Sequence, residues 1–164
     1  MKLTEKTIRV LQNFATINPN IVIEEGTKEL KTISEASNVI GHANIDDNIN
    51  ATFGIYDLNQ FLSATGLIND PNFEFSDSLI KVTESSGKSG LKYGCSEPAI
   101  LTYPKKSINE PDYEVDLVMT QENLSEIKKA AGILNFSTVS IRKKKDSNMI
   151  YAEASDVTNA STTA

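Results

Sequence analysis

Two stretches of this chain repeat each other in order, and any fold it adopts must accommodate both. Thr4, Ile8, Leu11, Ala15 and Ile17 match Thr120, Leu124, Ile127, Ala131 and Ile133 at one constant offset. With two further residues inserted, Ile23 falls on Ile141, and the tetrapeptide Ser34–Ser37 (SEAS) falls on Ala152–Ser155 (AEAS). A single such match is cheap by chance, whereas an ordered set marks a repeated structural unit. Each copy starts with a threonine able to accept an orphan N–H of a first helical turn. Apolar residues at helical spacing follow, then short alternating runs read as strands. The repeat predicts two similar α+β units, each laying the apolar side of a helix on a sheet.

The two copies differ in extent. The first runs from about Leu3 to Tyr103 and carries two predicted helices, Leu3–Ile17 and Leu58–Ile68. In the second of these, Leu58, Phe61 and Leu62 are expected to be buried, with Leu67 as a further candidate. Strands are predicted in a hairpin around Gly26-Thr27, in Asn38–Ile45 and in Ala51–Tyr56. Three more short strands run from Phe73 to Ser96, and "AILTY" (Ala99–Tyr103) is a candidate for another. Residues 104–112, with two prolines and no apolar period, read as a linker. Residues 113–164 then supply a strand (113–119), a helix from Thr120 to about Leu134 and a hairpin. The polar "DVTNASTTA" ends the sequence as a weak strand or frayed tail. The second unit is therefore expected to be incomplete by about half, with an exposed edge and an apolar face left over.

The polar side of the first helix carries Lys6, Arg9 and Asn13. Lys2 joins them if the helical register extends that far back, and Glu5 is the one acid there. In the second copy Lys128 and Lys129 occupy the positions of Gln12 and Asn13, while Glu122 falls on Lys6. A cationic stripe on one helix is most simply a solvated face. Its recurrence in kind on a second helix is what points to a shared surface. The chain as a whole is acidic, with a net charge of −6 and a pI of about 4.8. That argues against broad, unfocused nucleic-acid binding and leaves room for a local basic surface. One cysteine, Cys95, excludes an internal disulfide and suits a reducing compartment. No apolar run has the length of a membrane span, and no leader-like segment opens the chain.

Catalytic and metal-binding chemistry finds little support. His42 is the only histidine and sits in a strand pattern, where a structural role is expected. One His and one Cys exclude a structural zinc site. Gly87-Lys88-Ser89 resembles the end of a phosphate-binding loop, but Val82 stands where the loop needs glycine, so a hairpin turn is expected. Asp46-Asp47 is read as a solvated loop end, since adjacent strand residues point to opposite faces. Arg142–Lys145 (RKKK) is a basic hairpin tip, open to a solubility role or to nucleic-acid contact. Sequons at Asn50, Asn123, Asn135 and Asn159 carry weight only in a secreted protein.

Several segments together carry a family resemblance. "MKLT", "NFATIN" (Asn13–Asn18), "ANI-D" (Ala43–Asp47), "IYDLN-FL" (Ile55–Leu62) and "L-ND" (Leu67–Asp70) resemble the sliding clamps of T-even-like bacteriophages, the DNA polymerase processivity factors. The resemblance implies a two-domain DNA-clamp fold of class α+β, with antiparallel sheets outside and helices on the inner face. Domains would span 1–103 and 113–164, the second incomplete. It implies a homotrimeric ring around duplex DNA, opened by an ATP-driven clamp loader and tethering the replicative polymerase in the cytoplasm of an infected host. No enzyme activity, no cofactor and no membrane contact are implied. Lys2, Lys6, Arg9 and Asn13, with Lys128 and Lys129, are then the candidate DNA-facing residues. The polar side of the short helix, Asn59, Gln60, Ser63 and Thr65, would contribute less. A phage structural or adhesion β-module without a DNA role is the alternative.

Overall fold

Thr4 starts the first helix in the way its side chain predicts. Its hydroxyl accepts the Thr7 backbone N–H, and α1 runs from Glu5 to Phe14. In the computed structural model, which describes residues 1–105, 112, 117–143 and 149–156, α1 buries Thr7, Leu11 and Phe14 along one side. Ile8, Val10, Ala15 and Ile17 are half-buried around them. The spacing of 4 and 3 between the buried positions is that of one helical face.

The chain divides into two compact units, Met1–Asn109 and Glu110–Ala164. In the first, α1 is followed by β1 (Ile21–Ile23), β2 (Glu29–Ile33), β3 (Ile40–Asn44) and β4 (Phe53–Ile55). Then come α2 (Leu58–Thr65), β5 (Pro71–Phe75), β6 (Leu79–Glu84), β7 (Gly90–Gly94) and a 3₁₀ turn at Pro98–Ile100. All strand pairs are antiparallel: β1 with β4, β2 with β3, and β5–β6–β7 as a three-stranded meander. The second unit holds α3 (Gln121–Leu134) and the hairpin of β8 (Thr138–Lys143) with β9 (Ile150–Ser155). The described residues thus form an α+β protein with three α-helices and small antiparallel sheets.

The core of the first unit lies between the helices and the strands. Leu11 and Phe14 from α1 and Leu58 and Phe61 from α2 meet Ile21, Ile23, Leu30, Phe53, Ile55, Phe73, Ile80 and Val82. An aromatic row crosses it. Phe53 stacks on Phe75 at 5.0 Å, Phe75 on Phe73 at 5.7 Å, and Tyr93 meets Phe61 edge-on at 5.1 Å. Offset or edge contacts of this kind add about 0.5–1.5 kcal/mol each beyond burial. Asn18, at the end of the "NFATIN" segment, is buried and uses both ends of its amide. Its Nδ2 donates to the carbonyls of Ile33 and Thr102, while its Oδ1 accepts from Asn20 N–H. One side chain thereby ties the exit of α1 to the end of β2 and to the segment after the 3₁₀ turn.

Several expectations are overturned. The run around Gly26-Thr27 is not a hairpin: β1 pairs with β4, some thirty residues on, and β2 pairs with β3. Gly26, at a φ of +70°, instead turns its N–H to the Ile49 carbonyl, which separates β1 from β2. "AILTY" makes the 3₁₀ turn and an extended segment rather than a strand, with Leu101 buried and Ile100 exposed. Leu67 is 85% exposed because α2 ends at Thr65 with Gly66 as its C-cap. The tetrapeptide match also fails in space. Ser34–Ser37 forms the β2–β3 turn, with Ser37 at a φ of +55°, whereas Ala152–Ser155 lies in β9.

The second unit reproduces the helix start but not its packing. Thr120 accepts the Asn123 N–H as Thr4 accepts that of Thr7, and Asn135 closes α3 in the left-handed region. No residue of α3 is buried. Ala154 is the one buried apolar residue described in this unit, while Leu124, Ile133, Val139 and Ile141 are exposed. Of the strand expected at 113–119, residues 113–116 lie outside the described residues and Leu117–Met119 form no strand. The linker expected at 104–112 lies mostly outside them as well. So do Lys144 and Lys145 of the basic tip and residues 157–164 of the final stretch.

Candidate nucleic-acid interface

The outward side of α1 carries the charges predicted for it. Lys6, Arg9 and Asn13 are exposed on the side opposite Leu11 and Phe14. Beside them a shallow recess of about 530 Å³ runs between α1 and β3, lined by Lys6, Arg9, Val10, Phe14, His42 and Ala43 among others. Lys2 is exposed too, but not on the helix. It precedes the cap, next to Met1, which exchanges backbone hydrogen bonds with Phe73 that pin the N-terminus to β5. On α2, Asn59, Gln60 and Ser63 are exposed, whereas Thr65 is buried with its hydroxyl on the Leu62 carbonyl. Thr65 is therefore removed from the polar surface.

The cationic stripe is not naked. Lys2 pairs with Asp70, Lys6 with Asp46 at 3.1 Å, and Arg9 with Glu5 one turn before it. The three acids come from three places: the loop before β5, the loop after β3, and α1 itself. All six side chains are more than half exposed. Pairs of this kind contribute little to stability, because water screens them and holding two long side chains in place costs entropy. Asp70 is held as well as paired. The Ser85 hydroxyl approaches its carboxylate at 2.7 Å, and the residue sits at a φ of +47°. Lys2, and next the Ser85 hydroxyl, keep its carboxyl below the usual carboxylate range. The i,i+4 spacing of Glu5 and Arg9 is readable in sequence. The other two pairings join residues far apart in the chain and leave no local signal.

Asp47 corrects a further expectation. It is 7% exposed rather than a solvated loop end. Its Oδ2 accepts the Thr4 hydroxyl at 2.8 Å and the Thr4 N–H at 3.0 Å. Burial pushes its carboxyl up, but bonds from the Thr7 and Thr4 hydroxyls and the Thr4 N–H, with Lys28 nearby, outweigh that and lower it. Asp47 therefore clamps the start of α1 to the β3–β4 loop. A carboxyl lowered on folding stabilises the fold above its unfolded pKa of about 3.9, and that stability is lost as the pH falls through the folded value. Asp47→Asn is expected to flatten the acid limb of stability against pH. Urea unfolding between about pH 5 and 2 measures it, and an unchanged slope would remove Asp47 from this role.

In the second unit Lys128 and Lys129 are exposed on α3, beside a recess of about 300 Å³ formed with Gln121, Leu124 and Ser125. Neither lysine has an ion-pair partner among the described residues. Of the basic tip, Arg142 is 3.5 Å from Glu153 across the hairpin.

The remaining candidates settle into structural places. His42 is exposed on β3, with Nδ1 3.0 Å from Glu29. Gly87-Lys88-Ser89 is the β6–β7 turn, Gly87 having a φ of +74°. Burial, and then Asp77, push the Cys95 thiol up, so little of it is nucleophilic thiolate. Among the described residues, no three His, Cys, Asp or Glu side chains converge to hold a metal ion. None of their helices is long and apolar enough to cross a membrane.

Comparison with known proteins matches residues 2–93 to the DNA polymerase processivity factor family. The sliding clamp of Vibrio phage KVP40 is 31% identical, over 98% of this chain and 73% of its own length. Those of Escherichia phage RB69 and Enterobacteria phage T4 are each 31% identical, over 88% of this chain and 63% of their own length. The chain thus spans about two thirds of the curated relatives it matches. A structural or adhesion β-module finds no support among these matches.

Proposed function

The chain belongs to the DNA polymerase processivity factor family, and on that premise we propose that it is sliding-clamp polypeptide that holds duplex DNA without reading its sequence and tethers a replicative polymerase. Tethering involves no bond-making, in keeping with a non-enzymatic family. In this function two clamp domains turn their helices toward the DNA, three subunits close a ring, an ATP-driven loader opens it, and the protein acts inside an infected bacterial host. The ring and its partners are part of the proposal.

The observation that carries it is the two-sidedness of α1. Its inner side is locked into the core through Leu11 and Phe14, its outer side presents Lys6, Arg9 and Asn13, and Lys2 stands on the segment just before it. Contacts from such groups to phosphate oxygens position a protein on DNA and carry no base information. Lys128 and Lys129 are the corresponding groups of the second unit. The acidic remainder of the chain repels phosphate elsewhere and confines attraction to these faces.

Reversing Lys6→Glu and Arg9→Glu together tests the assignment. The double variant is expected to lose roughly tenfold or more in DNA association at low salt and to flatten its salt dependence by about 0.9 per lost phosphate contact. Clamp-dependent polymerase processivity should fall in parallel. Unchanged association and processivity would place the DNA on another face.

A further inference from the structure

We propose that Glu5, Asp46 and Asp70 are built-in counter-ions that set how tightly this surface grips DNA, each competing with phosphate for one cation. The inference rests on the DNA-facing reading of α1 and adds acidic residues to it as determinants of grip. Each of the three cations on this face has its own carboxylate partner, so the local charge of the six side chains sums to zero. The partners are not a by-product of one flexible acidic loop, since they arrive from three separate elements. Asp70 is held independently of Lys2: Ser85 donates to its carboxylate, and Asn72 donates to the Ser85 hydroxyl at 2.9 Å.

A phosphate reaching Lys6 must displace Asp46 or share the ammonium with it, at a distance where two anions repel. The gain from each phosphate contact is therefore the difference between two exposed ion pairs rather than the whole of one. Exposed pairs exchange with little loss, since each contributes little to stability. The consequence is a surface that attracts duplex DNA but releases each phosphate easily, as a protein moving along DNA requires. Without its carboxylates the same surface would hold phosphates more firmly and move more slowly.

The test compares the full chain with its Glu5→Gln/Asp46→Asn/Asp70→Asn variant, using anisotropy of a labelled duplex across a salt series. Asparagine keeps the positive φ at position 70, because Asn tolerates the left-handed region. The variant is expected to bind about tenfold more tightly near 50 mM salt, with a steeper salt slope. A control with Glu24, Glu25 and Glu35, exposed acids outside the three ion pairs, changed to Gln carries the same net charge and is expected to gain little. If the control gains as much, net charge rather than local competition is responsible and the proposal is overturned. If reversing Lys6 and Arg9 weakens binding but the neutralised variant matches the original, the DNA-facing reading stands and the counter-ion proposal falls. If none of these proteins associates with DNA at any salt, both fall.

Discussion

Phe73→Ala is expected to destabilise the first unit by about 3–5 kcal/mol, the range for removing a buried phenylalanine ring. Phe73 is 2% exposed and stands at the middle of the aromatic row, against Phe75 on one side and Phe61 on the other. Its removal leaves a cavity bounded by α2 and β5 that rigid strands close only in part. The loss reaches the candidate interface, because the backbone of Phe73 also holds Met1, and with it the segment that presents Lys2. Urea unfolding followed by near-ultraviolet circular dichroism gives the stability, and Tyr93, packed edge-on against Phe61, provides a local signal. A loss under about 1 kcal/mol would mean that the row is not the packed core described.

Gly54→Ala is expected to cost about 2–3 kcal/mol, toward the upper end for overpacking. A Cβ at position 54 would lie 2.6 Å from the Ser96 carbonyl oxygen and 2.5 Å from Leu101 Cδ1. Leu101 can rotate, but Ser96 cannot withdraw without breaking the 2.9 Å bond from its N–H to the Gly54 carbonyl. The segment running to Leu101 should therefore lift from β4, and amide exchange at Ser96 should rise along with the fall in stability. Gly94→Ala is the matched control. A Cβ there meets nothing within 4 Å, so a change within about 0.5 kcal/mol is expected. Equal costs at the two positions would show that Ser96 and Leu101 do not press on β4.

The part of the fold legible in sequence is the part set by neighbours. Thr4, Asp57 and Thr120 cap helices through bonds to N–H groups three residues on, so each cap can be read from a short window. The β5–β6–β7 meander and the β8–β9 hairpin pair runs that are consecutive in the chain, and their alternation was legible. Where pairing skips along the chain, the same signals mislead. Glycine between two apolar runs suggested that β1 and β2 pair, but all three residues of β1 are buried and β4 is what it pairs with. Periodicity tells which residues want burial and not which strand will lie beside them.

The candidate interface divides along the same line. Helical spacing alone placed Lys6, Arg9 and Asn13 on one outward side of α1, because an apolar face at 3.6-residue period leaves the polar residues nowhere else to go. The match to Thr120 and the family segments rested equally on the order of residues. Only the tertiary structure decided that Asp47 clamps the start of that helix, that Lys2 stands before it next to a Met1 bonded to β5, and that Asp46 and Asp70 neutralise Lys6 and Lys2. Those outcomes depend on loops 40 or more residues away being brought to the start of the chain by the packing of Phe73, Phe53 and Leu11. The identity of a charge is local, whereas its partner is set by whatever the core delivers beside it.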